Sequence, residues 1–380
     1  MTLSKKLLLI LFIASSALLL IAAPKPRIVA IGDIHGADAA FVSILEKAKL
    51  INTNQEWIAE NTIFVQTGDV LDRGPGSRKA MDLLMNLEKQ APKKNGKVIA
   101  LLGNHEVMNI IGDLRYVSAE DYASYSDSDS AKRQDAAYKA YVDFLKQRNE
   151  KLGVQPPAFT NEMEQDWKQK HPPGFIEHRE AFSKKGTYGQ WLRKHDAIAV
   201  LDGNVFLHGG ISPAVKELSF DQINRKVHHE LNDFDGCRDY LLTQKAALPF
   251  FTVDEVVSAA NQELQIQKQK RAEGIGENNI LQKCVSLESW LIMHPDGPLW
   301  FRGFAIWDDS EGSRNIQDLI SKYKVTRFIT AHTVQPDGQI HSRFNGQIFL
   351  IDTGMLSGSF FPGGRASALE INEGKVTPVY

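Results

Sequence analysis

Six short apolar runs in this chain break off into polar, glycine-containing clusters. They are "RIVAIGDIHG" (27–36), "TIFVQTGDVLDRG" (62–74), "KVIALLGNHE" (97–106), "NVFLHGGISP" (204–213), "RFITAHTV" (327–334) and "QIFLIDTGM" (347–355). Each is short and rich in β-branched residues, which predicts a buried strand running into a loop. Between the first three lie "AAFVSILEKAKL" (39–50) and "RKAMDLLMNLEKQ" (78–90), whose apolar residues recur at i, i+3, i+4 and i+7 and predict helices. The order βαβαβ is that of an α/β protein. In such proteins side chains at the carboxyl ends of strands are the usual place for a site, so the six loops are expected to converge.

Two stretches follow a different pattern. Residues 113–194 are charged and tyrosine-rich, with the polar tract "YSDSDSAKRQ" (125–134) and the loop "GVQPPAF" (153–159) between helical segments. Residues 217–289 are again mostly helical in pattern, including "NQELQIQKQKRAEG" (261–274). Both are read as helical insertions over the core, and the SDSDS tract as a solvated loop. The tail "ALEINEGKVTPVY" (368–380) predicts a hairpin turning at Glu373 and Gly374.

The amino terminus has Lys5 and Lys6 ahead of an uncharged apolar run, Leu7 to Ala23, the plan of an export signal. The run is close to the roughly 17-residue lower limit of a membrane span, and Pro24 is awkward for cleavage after Ala22 and Ala23. Residues 1–23 are therefore expected to be a signal peptide or a membrane anchor, with possible membrane attachment through residues 7–23. The protein would be exported, either periplasmic or anchored facing outside the cytoplasm, with residues 24–380 as the catalytic domain. Cys237 and Cys284 are too few for a disulfide framework or a thiolate metal site. They could pair in an oxidising compartment or stand as two unrelated buried thiols. Lys and Arg total 44 against 46 Asp and Glu, so the basic excess of nucleic-acid binders is missing and no nucleic-acid partner is expected.

The loops collect Asp33 and His35, Asp69 with Asp72 and Arg73, Asn104 with His105 and Glu106, His208, and His332. Carboxylates, imidazoles and an amide oxygen without thiolates suit divalent Mn, Fe or Zn. Two such ions sharing one carboxylate sit roughly 3.5–4 Å apart and lower the pKa of a bridging water to about 7.

The motifs Asp-x-His, Gly-Asp-x-x-Asp-Arg-Gly, Gly-Asn-His-Glu, His-Gly-Gly and a later His occur in that order. Together they resemble the calcineurin-like metallophosphoesterases, in the phosphoprotein phosphatase branch. With "GPLWFRG" (297–303) they are most similar to the Shewanella-like protein phosphatases, over about Arg27 to Val379. The resemblance implies two packed mixed β-sheets flanked by helices. It implies that Asp33 and His35 hold one metal, that Asp69 bridges to a second held by Asn104, His208 and His332, and that a bridging hydroxide attacks phosphorus. His105 would be the general acid, aligned by Asp72, and Arg73 would clamp the phosphoryl oxygens, with Arg302 as a second clamp. Val334 stands where many metallophosphoesterases carry a second histidine, which favours the phosphoprotein phosphatase branch. Leu102 replaces an arginine common in the eukaryotic phosphatases, and no SAPNY-like segment is present.

The expected activity is thus a metal-dependent phosphomonoesterase acting on a phosphorylated protein or peptide, with phosphotyrosine as eligible as phosphoserine or phosphothreonine. The alternative is a small-molecule or dinucleoside-polyphosphate phosphatase; a phosphodiesterase is disfavoured because Arg73 suits a monoester dianion. An insertion 113–194 that closed over the pocket would favour a small ligand, whereas an open site would favour a peptide.

Overall fold

The computed structural model describes residues 25–271 and 279–380; the segment 1–23, read above as signal peptide or membrane anchor, lies outside them. Strand β1 (Ile28–Ile31), helix α1 (Asp38–Lys47), β2 (Ile63–Gln66), α2 (Ser77–Gln90) and β3 (Lys97–Ala100) realise the expected βαβαβ unit. Helix α3 (Asn104–Ile111) follows, and then α4 (Ala119–Tyr125), α5 (Ser130–Leu152), α6 (Asn161–Lys170), α7 (Phe175–Ala181) and α8 (Thr187–Leu192) fill the first insertion. Strands β4 (Ile198–Leu201) and β5 (Asn204–Leu207) precede the second insertion, built from α9 (Phe220–Thr243), α10 (Val253–Arg271) and α11 (Asn279–Val285). The chain ends with α12 (Gly303–Ile306), α13 (Asp309–Tyr323), β6 (Arg327–Thr330), β7 (His341–Arg343), β8 (Ile348–Leu350), β9 (Ala368–Asn372) and β10 (Lys375–Val379).

One sheet runs β10-β9-β1-β2-β3 and the other β4-β5-β6-β8-β7. In the first, β1, β2 and β3 are parallel, and β9 and β10 extend the edge antiparallel. In the second, β5, β6 and β8 are parallel between antiparallel β4 and β7. Ile28 and Ala30 of β1, Val65 of β2 and Leu369 of β9 meet Phe206 of β5 and Ile329 of β6 in one buried cluster between the sheets. Val29, Ile31 and Phe64 point the other way, into the cluster that holds Phe41 and Leu45 of α1 and Leu84 of α2. Successive side chains go to opposite faces and both faces are covered, so the strands read as unbroken apolar runs.

Two strands escaped the sequence pattern. β7 carries no apolar residue and so gave no signal, whereas the edge strand β4 is apolar throughout, Ile198 to Leu201, although Val200 is 45% exposed. The tail forms the expected hairpin, with Asn372 opposite Lys375 and Glu373 and Gly374 at φ 49° and 80°. The polar tract at 125–134 is only partly a loop. Its second half opens α5, where buried Ser130 donates its hydroxyl to Glu177 and accepts from the Asp127 N–H at 2.8 Å. A partner 47 residues away, invisible to local pattern, fixes the helix start. Cys237 of α9 and Cys284 of α11 form a disulfide, and Arg148 of α5 pairs with Glu263 of α10 to join the two insertions.

Candidate active site

The loops after β1, β2, β3, β5 and β6 do converge. Among the residues they present, Asp33, His35, Asp69, Asp72, Asn104, His105, His208 and His332 are all buried. His35, Asp69, Asp72, Arg73 and His332 sit at φ 48°, 56°, 70°, 69° and 64°, a left-handed region that residues with a Cβ rarely occupy. Such strain persists only where the surroundings over-determine it. Here the Asp69 carbonyl accepts from the Ile34 and His35 N–H groups at 2.8 and 3.0 Å, and the His35 carbonyl from the Gly74 N–H at 3.0 Å. The two loops are thereby laced together. A Cβ on Gly103 would lie 2.2 Å from Asp69 Oδ1, so only glycine lets the third loop approach.

Glu106 ties the same loops from within. Its carboxylate accepts from the backbone N–H groups of Asp69, Val70 and Gly103 at 2.7, 2.9 and 2.8 Å. Burial pushes its carboxyl up to about 7, with the Asp69 charge adding to the effect and the N–H donors opposing it. Glu106→Ala leaves three buried donors unpaired, each worth about 1–3 kcal/mol. The expected outcome is a loss of at least about 3 kcal/mol of stability in urea titration. A midpoint unchanged from the parent protein would refute this role.

The donor atoms fall into two groups that share Asp69, one with His35 and His105 and the other with His208 and His332. His35 Nε2 stands 3.6 Å from Asp33 Oδ2 and 3.7 Å from Asp69 Oδ2. On the other side His208 Nε2 lies 3.1 Å from Asp69 Oδ2, 3.0 Å from Asn104 Oδ1 and 3.1 Å from His332 Nδ1. The remaining ring nitrogen of each imidazole is committed as a donor: His35 Nδ1 to the Leu71 carbonyl at 2.9 Å, His208 Nδ1 to Thr67 at 3.0 Å, and His332 Nε2 to Trp300 at 3.1 Å. The inward nitrogens of neutral rings then present lone pairs to one another and to two oxygens. A cation is the group that satisfies such a cluster, and the outer carbonyls fix the ring orientation it needs.

The electrostatics agree. Burial first, then the neighbouring histidine and Arg302, takes His332 down to about 2; burial, then His105 and Arg73, holds His35 well below its ordinary value. Both rings stay neutral and able to bind. Burial, the Asp352 carboxylate and Asp69 push Asp33 well above the carboxylate range, a crowding of acids that bound cations would relieve.

His105 Nδ1 is 2.6 Å from Asp72 Oδ2, and Asn109 donates its amide to Asp72 Oδ1 and to the His105 carbonyl, both at 2.9 Å. Burial opposes charge on His105, but Asp69 and the Asp72 hydrogen bond outweigh it and raise its pKa. Its other nitrogen, Nε2, faces Arg73 Nη2 at 3.5 Å. The Arg73 guanidinium lies between the rings of Tyr116 and Phe361, 5.5 and 5.2 Å from their centroids. Arg302 lines the same cavity, where Nη1 donates to the His332 carbonyl at 2.8 Å and to Thr333 Oγ1 at 3.1 Å. These groups line a cavity of about 140 Å³, and Tyr116 is the only residue of 113–194 lining it among those described. The first insertion therefore flanks the site and does not close it.

All eleven residues singled out in the sequence, Glu106 and Arg302 among them, meet here. Asp352, Asn109, Tyr116 and Phe361 were missed. Asp352 ends the run "QIFLID" as Asp33 and Asp69 end theirs, and Asn109 follows His105 by one helical turn, so both carried a readable signal. Tyr116 and Phe361 sit in loops without one. Ser77, the first residue of α2, accepts from the Asp72 N–H at 3.1 Å and so holds the loop. Histidines outside the motifs have structural partners: His228 with Asp196, His341 with Asp337, and His171 stacked on Trp167.

Residues 26–336 match the family described as calcineurin-like phosphoesterase. Similar proteins include Shewanella-like protein phosphatase 1 of Plasmodium berghei (strain Anka), 26% identical over 93% of this chain and 74% of that protein. Shewanella-like protein phosphatase 2 of Arabidopsis thaliana is 31% identical over 56% of this chain and 53% of its own length. The solved cold-active protein-tyrosine phosphatase of a psychrophilic Shewanella species shares the fold, with a TM-score of 0.57 and 20% identity over 93% of this chain and 77% of that one.

Proposed function

The chain belongs to the calcineurin-like phosphoesterase family, and from that premise we propose a metal-dependent phosphomonoesterase that removes phosphate from protein side chains. The observation that carries this is the shared position of Asp69 Oδ2, within reach of both histidine groups and 3.8 Å from His105 Nε2. Asp33, His35 and Asp69 would hold one divalent ion, and Asp69, Asn104, His208 and His332 the other, with Mn, Fe or Zn suited to the donors. When bound, such ions acidify water and neutralise phosphoryl charge.

The protein groups supply the rest. Arg73 offers a planar fork to two phosphoryl oxygens, held in place by the aromatic rings on either side. Arg302 adds positive charge from the lining of the same cavity. His105, charged as the imidazolium that the Asp72 carboxylate on Nδ1 favours, donates the Nε2 proton to the leaving oxygen, and Asn109 steadies Asp72. A small cavity of about 140 Å³, open to solvent, suits a phosphoryl group whose carrier lies outside it. That suits a protein side chain, as does the similarity to two Shewanella-like protein phosphatases. A dinucleoside polyphosphate would need more cations than Arg73 and Arg302.

We also place the enzyme outside the cytoplasm, a reading supported by the Cys237–Cys284 bond and the amino-terminal pattern. The activity is tested by stripping the protein of metal, restoring Mn²⁺, and offering phosphotyrosine and phosphoserine peptides beside a phosphodiester and a dinucleoside tetraphosphate. Turnover of the peptides is expected. Turnover of the diester or of the tetraphosphate alone would overturn the proposal.

A further inference from the structure

The wall formed by Trp300 and Arg302 has two sides. On one it completes the catalytic cavity, where the Trp300 carbonyl accepts from His332 and Arg302 caps the His332 carbonyl. On the other, the same two residues line a separate cavity of about 390 Å³ with Phe301, Ile306 and Trp307. The wall is rigidly seated: the Gly209 N–H donates to the Pro298 carbonyl at 2.9 Å, and Trp300 Nε1 to the Ile292 carbonyl at 2.9 Å. Phe301 and Trp307 pack edge to face, their centroids 5.4 Å apart, and form a fixed apolar floor.

Ile306 stands at its rim, 70% exposed, the most exposed of the large apolar residues described. With Trp300, Phe301 and Trp307 it makes a contiguous, partly exposed apolar surface, the kind that marks a binding site where a single exposed side chain would not. Of the cavities described, this one shares lining residues with the catalytic site. The catalytic cavity is small and open to solvent, so the chain that carries the phosphoryl group runs over the adjoining surface.

We infer that the cavity of Phe301, Ile306 and Trp307 is a specificity subsite for an apolar side chain flanking the phosphorylated residue of a peptide substrate. The inference rests on the protein-phosphatase reading above. Trp300 and Arg302 link the two steps: seating the flanking side chain against one face of the wall brings the phosphoryl group to the other. The subsite adds binding energy from a part of the substrate that does not react.

The test uses the full-length metal-loaded enzyme with three substrates: two phosphopeptides that differ only in having leucines or glycines around the phosphorylated residue, and phenyl phosphate. The wild type is expected to favour the leucine peptide. Ile306→Ser should lower kcat/KM for that peptide by about tenfold, the scale of losing one partly buried aliphatic side chain. The glycine peptide and phenyl phosphate should be unaffected, and Ile306→Leu should keep the preference. Because Ile306 is mostly exposed, the substitution leaves the fold intact. Equal rates for the two peptides, or an equal loss on all three substrates, would overturn the subsite alone. Turnover of phenyl phosphate with neither peptide processed would remove the protein-phosphatase reading and the subsite with it.

Discussion

Asp69→Asn should reduce kcat/KM for a phosphopeptide by at least about a thousandfold, about 4 kcal/mol of transition-state stabilisation. The reason lies in the separate use of the two carboxylate oxygens. Oδ1 accepts the His105 backbone N–H at 3.0 Å, while Oδ2 faces His208 Nε2 at 3.1 Å and His35 Nε2 at 3.7 Å. An asparagine must keep its single oxygen on the His105 N–H, since a nitrogen there would set donor against donor. Its NH₂ group then occupies the position of Oδ2 and aims protons at the point where a cation belongs. One substitution thus spoils both donor groups. Elemental analysis should show less than half the metal bound by the parent. The rise in melting temperature on adding Mn²⁺, which ligand binding to the folded state alone produces, should vanish. An Asp69→Asn protein with full metal content and full rate would refute the shared-ligand assignment.

How far the sequence anticipates this centre depends on where each residue's position is decided. Asp33, Asp69, Asn104, His208 and His332 were legible because each ends an apolar strand, and strand ends in this architecture point to one edge of the sandwich. Asp352 obeyed the same rule, ending β8 as the others end theirs, and lies with Asp33 in the catalytic cavity. The backbone strain was not legible. Left-handed φ values are expected of glycine, and nothing in the identities of His35, Asp72 or Arg73 announces them. Their conformation comes from hydrogen bonds between loops far apart in sequence. The same holds for the start of α5, settled by Ser130 meeting Glu177, and for the disulfide, which composition left open. The sheets were legible where both faces are buried; at the edges β7 carries no apolar residue, whereas β4 is apolar throughout and carried a signal that was missed.

The second large effect expected is on the proton donor. His105→Asn should lower kcat on a phosphoserine peptide by about 10²–10⁴-fold, the range for losing a positioned general acid, with metal content unchanged. Metal is retained because the ligand sets proposed above, Asp33, His35 and Asp69 on one side and Asp69, Asn104, His208 and His332 on the other, do not need the His105 ring, whose Nδ1 is taken by Asp72 and whose Nε2 faces Arg73. A fall in kcat alone could come from a disturbed loop, since the His105 main chain also holds Asp69 and Asn109. Leaving-group dependence separates the two causes. Serine leaves as a strongly basic alkoxide and needs the Nε2 proton, whereas nitrophenoxide is a weak base and departs without it. The variant should therefore lose less than about tenfold on p-nitrophenyl phosphate while failing on phosphoserine. A displaced loop would misplace metal ligands and slow both esters alike. Equal losses would thus remove His105 from the role of acid, and Asp72, whose carboxylate meets Nδ1 at 2.6 Å, would then be orienting a ring that transfers no proton.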